Sequence, residues 1–307
     1  LGDYVLKQQD LMAGGLADAV AIGGWAMDAH PPEGFDRPDL PPNTTLRPPE
    51  VYDIPLRSLY SRNIGNLLMA GRNISASYVA FTSARVMATC AVEGQAVGTA
   101  AAQCVACGIL PRQLAADPKQ VEQLQQTLLR DDQTIKGRSN RDPRDIARSA
   151  KVSASAEEGP AKASLVIDGS VRNVPDRHGD PVELHQWAAP LEEGKTAWIE
   201  LAWDTPRRLQ QVQITFDTGF KRQLTLSAQE SQNRNLVRAP QPETVKDYTL
   251  IGRTADGETH VLATVKDNYQ RLRRHNFVPL EVRSLRLEIH ATHGDRLARV
   301  FEVRCYA

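Results

Sequence analysis

Asn66-Leu-Leu-Met-Ala-Gly-Arg-Asn-Ile-Ser75 and, shortly after it, Ser83-Ala-Arg-Val-Met-Ala-Thr-Cys-Ala-Val-Glu-Gly-Gln-Ala-Val-Gly98 decide how this chain is read. The first is a short apolar run ending at Gly71, which predicts a buried strand entering a tight turn. The second predicts one helix from Arg85 to about Cys107, with Ser83 as its N-cap, Gly108 as its stop and Pro111 barring continuation. Met87, Cys90, Ala91, Gly94, Val97, Gly98 and Ala101 recur at three- and four-residue steps and mark its expected buried face. Gly94 and Gly98 each cost about 1 kcal/mol against Ala in a helix interior, so close approach of another backbone is their expected use.

This strand, Gly-Arg turn and helix resemble the C-terminal flavin-contacting segment of the FAD-dependent oxidoreductases related to glutathione-reductase-type flavoproteins. The resemblance implies FAD as cofactor. It sets Gly71 and Arg72 beside the ribityl-phosphate region and aims the helix start, Ser83, Arg85, Val86 and Met87, at the pyrimidine edge of the isoalloxazine. Free N–H groups and the positive helix end stabilise the negative charge that a reduced flavin gathers there. The residues alone also fit a buried small-residue helix in another α/β protein. Upstream, Asp18–Glu33 passes from a β-prone run into polar Asp28 and a Pro-rich loop, and Tyr52–Leu59 reads as another strand. Both are similar to segments of the same family, so the resemblance covers roughly residues 1–130.

A flavoprotein of this type needs a Gly-rich turn to cradle the pyrophosphate, and no GxGxxG occurs in the chain. The expected partner is therefore a missing N-terminal dinucleotide-binding segment. At 307 residues the chain has room for two domains. Lys+Arg and Asp+Glu both number 37, which argues against a nucleic-acid or polyanion surface. No apolar run approaches the roughly 20 residues of a membrane span. A periplasmic or secreted setting is favoured over a cytoplasmic one. Cys104 and Cys107 have CxxC spacing but no second pair, and read as small core residues rather than redox or metal groups.

His30 can move protons near neutral pH with Asp28 orienting it, or can simply brace the loop beside it. Among seven histidines it alone precedes the predicted sandwich. Arg57 and Arg72 can hold a carboxylate, a phosphate or the flavin edge. Arg72 is the better cofactor contact; Arg57 is open between a catalytic substrate contact and a structural ion pair. A cation at Arg85 opposes the helix dipole, which favours an anion nearby.

Asp117–Arg130 predicts a helix capped by Asp117, opened by Pro118 and striped by Val121, Leu124 and Leu128. Beyond it, alternating runs at 197–203, 211–216, 247–252, 285–290 and 299–306 predict an antiparallel β-sandwich. Val166-Ile-Asp-Gly169, Trp187, Trp198-Ile-Glu-Leu, Leu209–Ile214 and Arg299–Val303 are similar to the discoidin, or F5/8 type C, family of galactose-binding-like jelly rolls. That resemblance implies sugar binding in many members and a structural calcium held by Asp168 and Glu302; an Asp-Gly turn also stands without metal. Alternation puts Trp198 and Trp187 in the core and leaves Trp203 available.

The expected fold class is thus multidomain, α/β plus all-β: the C-terminal portion of a flavoprotein followed by a jelly-roll β-sandwich. The divisions are the end of a substrate domain at 1–60, part of an FAD-binding domain at 61–135, a polar linker at 136–150 and the sandwich at 151–307. The favoured function is hydride transfer between FAD and an organic substrate, with a sugar or sugar derivative among the candidates. The alternative is a non-catalytic carbohydrate-binding protein with a flavin-free α/β remnant.

Overall fold

A computed structural model of the chain describes residues 1–175, 181–192, 194–222 and 224–307. It divides between Ser139 and Asn140 into two units. The α/β character of the first and the all-β character of the second follow the sequence periods.

The first unit contains α1 (Gln8–Ala13), β1 (Ala19–Gly23), β2 (Met27–Ala29), β3 (Thr44–Leu46), β4 (Tyr52–Pro55), α2 (Tyr78–Ala84), α3 (Met87–Cys107), α4 (Pro111–Ala116) and α5 (Pro118–Arg130). β1 pairs antiparallel with β4, and β2 with β3. The helix α3 packs on β1 and α5. Val20, Tyr52, Ile54, Ala96, Ala100 and Leu124 lie in the resulting core. In α5, Asp117 accepts the Lys119 N–H at 2.9 Å, Pro118 is the first residue, and Val121, Leu124 and Leu128 are buried, as the pattern predicts.

The helix expected from Arg85 to about Cys107 is α3, Met87–Cys107, its start set by the extended backbone of Val86 (φ −75°, ψ 148°) that separates it from α2. Three other expectations change here. Ser83 lies inside α2 and cannot cap α3; Ser77 caps α2 instead. The buried face of α3 is rotated to Thr89, Glu93, Ala96, Ala100, Gln103 and Cys104, while Met87, Ala91, Gly94 and Gly98 are exposed. A helix apolar nearly all round carries no stripe to choose its inner face. The polar Glu93 and Gln103 choose it, bonding to Gly71 and Gln120 respectively. Finally, Asn66–Ala70 is not a buried strand. It makes one isolated bridge, Tyr60 to Leu68, and Leu67 is 41% exposed. A single bridge supplies no ladder on either side.

The charge-dense stretch at 136–150 is packed down. Lys136 pairs with Glu50 at 2.8 Å and Arg138 donates to the Ala17 carbonyl at 3.0 Å in the first unit. Within the second unit, buried Asp145 accepts N–H groups from Ala147 and Cys305 at 3.1 and 2.9 Å.

The second unit contains β5 (Lys151–Ala154), β6 (Val174–Pro175), β7 (Pro181–Glu183), β8 (Trp187–Pro190), β9 (Ala197–Phe216), α6 (Glu230–Asn233), β10 (Val245–Arg253), β11 (Thr259–Val265), β12 (Leu272–Thr292) and β13 (Leu297–Tyr306). Strand order is β11-β10-β12-β9-β13-β8, with β5 also on β9. The runs expected at 197–203 and 211–216 join into one long strand. Residues 197–202 of β9 pair with β5 and the second half of β12; residues 211–216 pair with β13 and the first half of β12. Register breaks at Asn276/Leu280 and Val282/Ser284 mark the corner. Opposite them, Asp204–Arg208 is exposed and holds Pro206. Strands that bend and change layers in this way make the sandwich of jelly-roll type.

Trp187 is fully buried and donates to the Ala156 carbonyl, as a core tryptophan requires. Trp203 is also core, 4% exposed, and donates to the Ile146 carbonyl. Trp198 instead points outward and carries the Arg286 guanidinium 4.2 Å from its ring centroid. The alternation runs inward through Ala197, Ile199, Leu201 and Trp203, so position 198 falls on the other face. Of the remaining histidines, His178 lies outside the described residues.

Candidate active site

Several of the sequence-expected site residues of the first unit gather on and ahead of the α3 start. Val86 provides no capping side chain, so the first-turn N–H groups have no side-chain acceptor. Met87 beside them is 90% exposed. Arg85 closes α2 just ahead of this helix start. Its Nη2 lies 3.4 Å from the Asp28 carbonyl oxygen, and its buried Nε has no hydrogen-bond partner.

Asp28 sits on β2, which packs against α2. His30 follows it. The His30 Nδ1 lies 2.9 Å from the Pro42 carbonyl oxygen, so this nitrogen carries the proton and donates. The His30 Nε2 lies 3.5 Å from Asp28 Oδ2, an ion pair when the imidazole is protonated. Asp28 is steadied by Asn43, whose Nδ2 donates to Oδ1 at 2.6 Å. Tyr78, which the sequence reading passed over, donates its hydroxyl to the His30 carbonyl at 2.8 Å. Asp28, His30 and Arg85 thus come together although Arg85 is remote from them in sequence.

Gly71 has φ +91°, a backbone conformation that favours glycine. Its N–H donates to Glu93 Oε2 at 2.6 Å. Arg72 lies 5.2 Å from the centroid of Phe81 on α2, a cation–π contact. Glu93 is the one charged residue within α3. That isolated charge in an Ala/Gly-rich helix is a sequence signal that could have singled it out.

Two expected site residues have interior duties. Arg57 holds Asp18 in a two-pronged pair, at 3.0 Å through Nε and 2.9 Å through Nη2, and stacks on Tyr4 at 5.1 Å. Of its two readings, the ion pair is the one with partners. Ser83 is fully buried, donates to the Trp25 carbonyl at 2.5 Å and meets the Tyr52 hydroxyl at 2.6 Å. The single Ser83 proton is committed to the Trp25 carbonyl, so Tyr52 is the donor in that pair.

In the second unit, Asp168 Oδ2 faces His185 Nδ1 at 2.7 Å and its Oδ1 accepts the Ser170 N–H at 2.8 Å. Glu302 is buried and takes Arg304 Nε at 2.6 Å. Calcium needs a shell of about six to eight oxygens. Two carboxylates already held by His185 and Arg304 do not fit that requirement. Among the described residues, no group of three or more His, Cys, Asp or Glu is arranged to hold a metal ion. A surface groove of about 650 Å³ lies between the Leu191–Thr196 segment and the end of β12, with Lys195, His290, Asp295 and Arg296 in its wall. Its described lining is polar and aliphatic, without an aromatic platform apart from the His290 ring.

Residues 1–128 match the family described as FAD dependent oxidoreductase. No curated protein matches the chain. Among solved structures, the chain is similar to chitosan-binding module 1 from a chitosanase/glucanase of Paenibacillus sp. IK-5: 14% identity, 53% of this chain and 98% of that one, TM-score 0.38. It is also similar to the family 32 carbohydrate-binding module of C. perfringens NanJ, solved with galactose, at 15% identity over 52% of this chain and 96% of that one, TM-score 0.38. The family 32 module of Streptococcus pneumoniae EndoD gives 15% identity, 53% and 98% coverage and the same TM-score of 0.38. Among the described residues, no helix is long and apolar enough to cross a membrane.

Proposed function

We propose that the first unit is the flavin-contacting part of an FAD-dependent oxidoreductase acting on an organic substrate, with a sugar or sugar derivative among the candidates. One observation carries the reading: Arg85, two residues ahead of the α3 start, meets the Asp28 carbonyl, and Asp28 meets His30, so the helix start and the His30–Asp28 pair are linked through Arg85. These groups fit FAD. The α3 amides would take its electron-rich pyrimidine edge, and the Gly71–Arg72 turn would follow the ribityl chain. When bound, FAD supplies the hydride acceptor or donor.

This chain's own residues handle the proton and the orientation. Arg85 Nε, buried and unpaired, is placed to donate to an anionic group at the helix start. His30 Nε2, with Nδ1–H committed to Pro42, can take the proton of a substrate hydroxyl as its carbon loses hydride. Asp28 then faces the imidazolium and stabilises it. Arg57 is placed in the packing of Asp18 and Tyr4, apart from this exchange.

The test uses the full-length protein that contains this sequence. Purified protein should show flavin absorbance; His30→Asn should keep the flavin and the melting temperature while slowing flavin reduction by substrate about 10²-fold or more. An unchanged reduction rate would remove His30 from the mechanism. The carbohydrate-binding alternative predicts no flavin absorbance at all.

A further inference from the structure

Glu93 stands on the inner face of α3 with no exposed surface. Its Oε2 accepts the Gly71 N–H at 2.6 Å, while Oε1 is buried without a hydrogen-bond partner. An ionised carboxylate in that position has one donor for two oxygens, an expensive arrangement in a dry interior. Burial accordingly pushes its carboxyl up to about 7, against the pull of the Gly71 amide. A Leu at this position would pack at no such cost, so simple packing does not account for Glu93.

What Glu93 touches does. The Gly71 turn passes straight into Arg72, and Arg72 is anchored over Phe81 on α2. The amide bond from Gly71 ties the turn to α3 itself, six residues beyond Met87 and nearly two helical turns inside its start. Gly71's Cα leans towards the same helix: a Cβ added there would meet Cys90 at 3.8 Å. The surrounding titratable groups are few. Cys90 comes from α3, Tyr52 from β4 and Arg72 from the turn. β1 brings none; α4 brings Arg112, paired with Asp3; α5 brings Lys119, Glu122 and Arg130.

We propose that Glu93 is a positioning residue that fixes the Gly71–Arg72 turn at a set distance from the α3 N-terminus, so that the two halves of the flavin site stay in register. The inference rests on the flavin reading above. Deprotonation puts a charge with a single donor into the interior and loosens the turn from the helix.

The experiment measures FAD affinity of the full-length protein from pH 6 to 8 for wild type, Glu93→Gln and Glu93→Leu, with melting temperature followed alongside. Wild-type affinity should fall severalfold as pH rises through this range. Glu93→Gln keeps an acceptor for Gly71 and loses the proton, so its affinity should stay flat and close to the wild-type value at pH 6. Glu93→Leu should bind FAD about tenfold more weakly at every pH while remaining folded, the equivalent of one lost net hydrogen bond. Parallel pH profiles for wild type and Glu93→Gln, or undiminished affinity in Glu93→Leu, would overturn the proposal and leave the flavin reading intact. Wild-type protein that binds no FAD would overturn both.

Discussion

The two units differ in how the buried acids of their long elements are partnered. In the first, Glu93 on α3 takes one backbone amide, from Gly71, while Asp18 is held by Arg57. In the second, Glu302 on β13 faces Arg304 and buried Glu243 faces Arg222, the latter through Nη1 at 2.7 Å. Both units leave large apolar side chains exposed, Phe35 and Met87 in the first and Leu226 and Val278 in the second; they differ in their longest elements. The first unit leaves Met87 and the Ala91–Gly94–Gly98 side of its longest helix open, whereas the long strands of the second close over Trp187, Trp203 and Phe216. A backbone amide and a guanidinium are different partners for a buried acid, and the difference is open to test.

The comparison breaks hardest at Arg304. Arg304→Met keeps volume but strands Glu302, and should cost about 3–5 kcal/mol in urea unfolding followed by the buried Trp187 and Trp203. The double variant with Glu302→Gln should recover most of that. A small loss in the single variant would mean that the pairing in the second unit is not what holds its interior.

The pH response sharpens the contrast. Glu93 is pushed from 4.5 up to about 7, mainly by burial, so its folded form keeps a proton that the unfolded chain has lost. That stability is full below about 4.5 and is lost as pH rises through 7, at most about 3 kcal/mol. His275 is pushed from 6.5 down to about 4, by burial and then by the Arg273 charge. Its contribution is full above 6.5 and disappears as pH falls through 4, about 1–2 kcal/mol once its partial exposure is discounted. Glu302 in the second unit is likewise pushed up to about 7 by burial, so the His275 response is read by difference. In hydrogen exchange resolved by residue and corrected for intrinsic rates, Glu93→Gln should remove the loss of protection near α3 as pH rises, and His275→Phe should remove the loss of protection near β12 as pH falls. A His275→Phe profile identical to that of the unsubstituted protein would sink the second assignment.

The smallest effect concerns the open side of α3. A Cβ at Gly94 or Gly98 meets nothing within 4 Å. Each Gly→Ala change should raise the stability of this chain by about 0.5–1 kcal/mol. If another backbone approaches that face in the full-length protein, the same changes lower stability or FAD affinity there. The sign of the difference reports whether the face is covered.

Much of the second unit was readable because alternation survives in β9 and β12 as single-residue period, and because Gly/Pro/Asp punctuation separates most strands. The corner at Asp204–Arg208 looked like a turn between two strands, since local sequence cannot tell a bend within a strand from a reversal. In the first unit the motif order was legible, and the structure puts Arg85 beside the Asp28 carbonyl, Asp28 beside His30, and Arg72 over Phe81. The facing of α3 was not legible. A run of Ala, Gly, Cys and Thr offers several equivalent stripes, and tertiary hydrogen bonds from Glu93 and Gln103 settle the choice. Arg57 was ambiguous for a similar reason: its partner Asp18 is 39 residues away, and sequence carries no mark of that pairing.

The doubled membership of β9 and β12 has a kinetic consequence. Each strand runs through both layers, and their register joins Ala197 to Ile289 and Thr215 to Leu272. Neither layer can therefore assemble from neighbours in the chain, because the central ladder forms only after β10 and β11 have been synthesised and looped out. Such non-local closure makes folding slow relative to helical units of similar size, and couples both layers into one event. During synthesis, β9 can meet the earlier β5 along residues 199–202 but waits for β12 and β13 along the rest. The exposed charges and proline at its bend, Asp204 through Arg208, sit at the place where a waiting strand is most open to the wrong partner, and such residues discourage edge pairing.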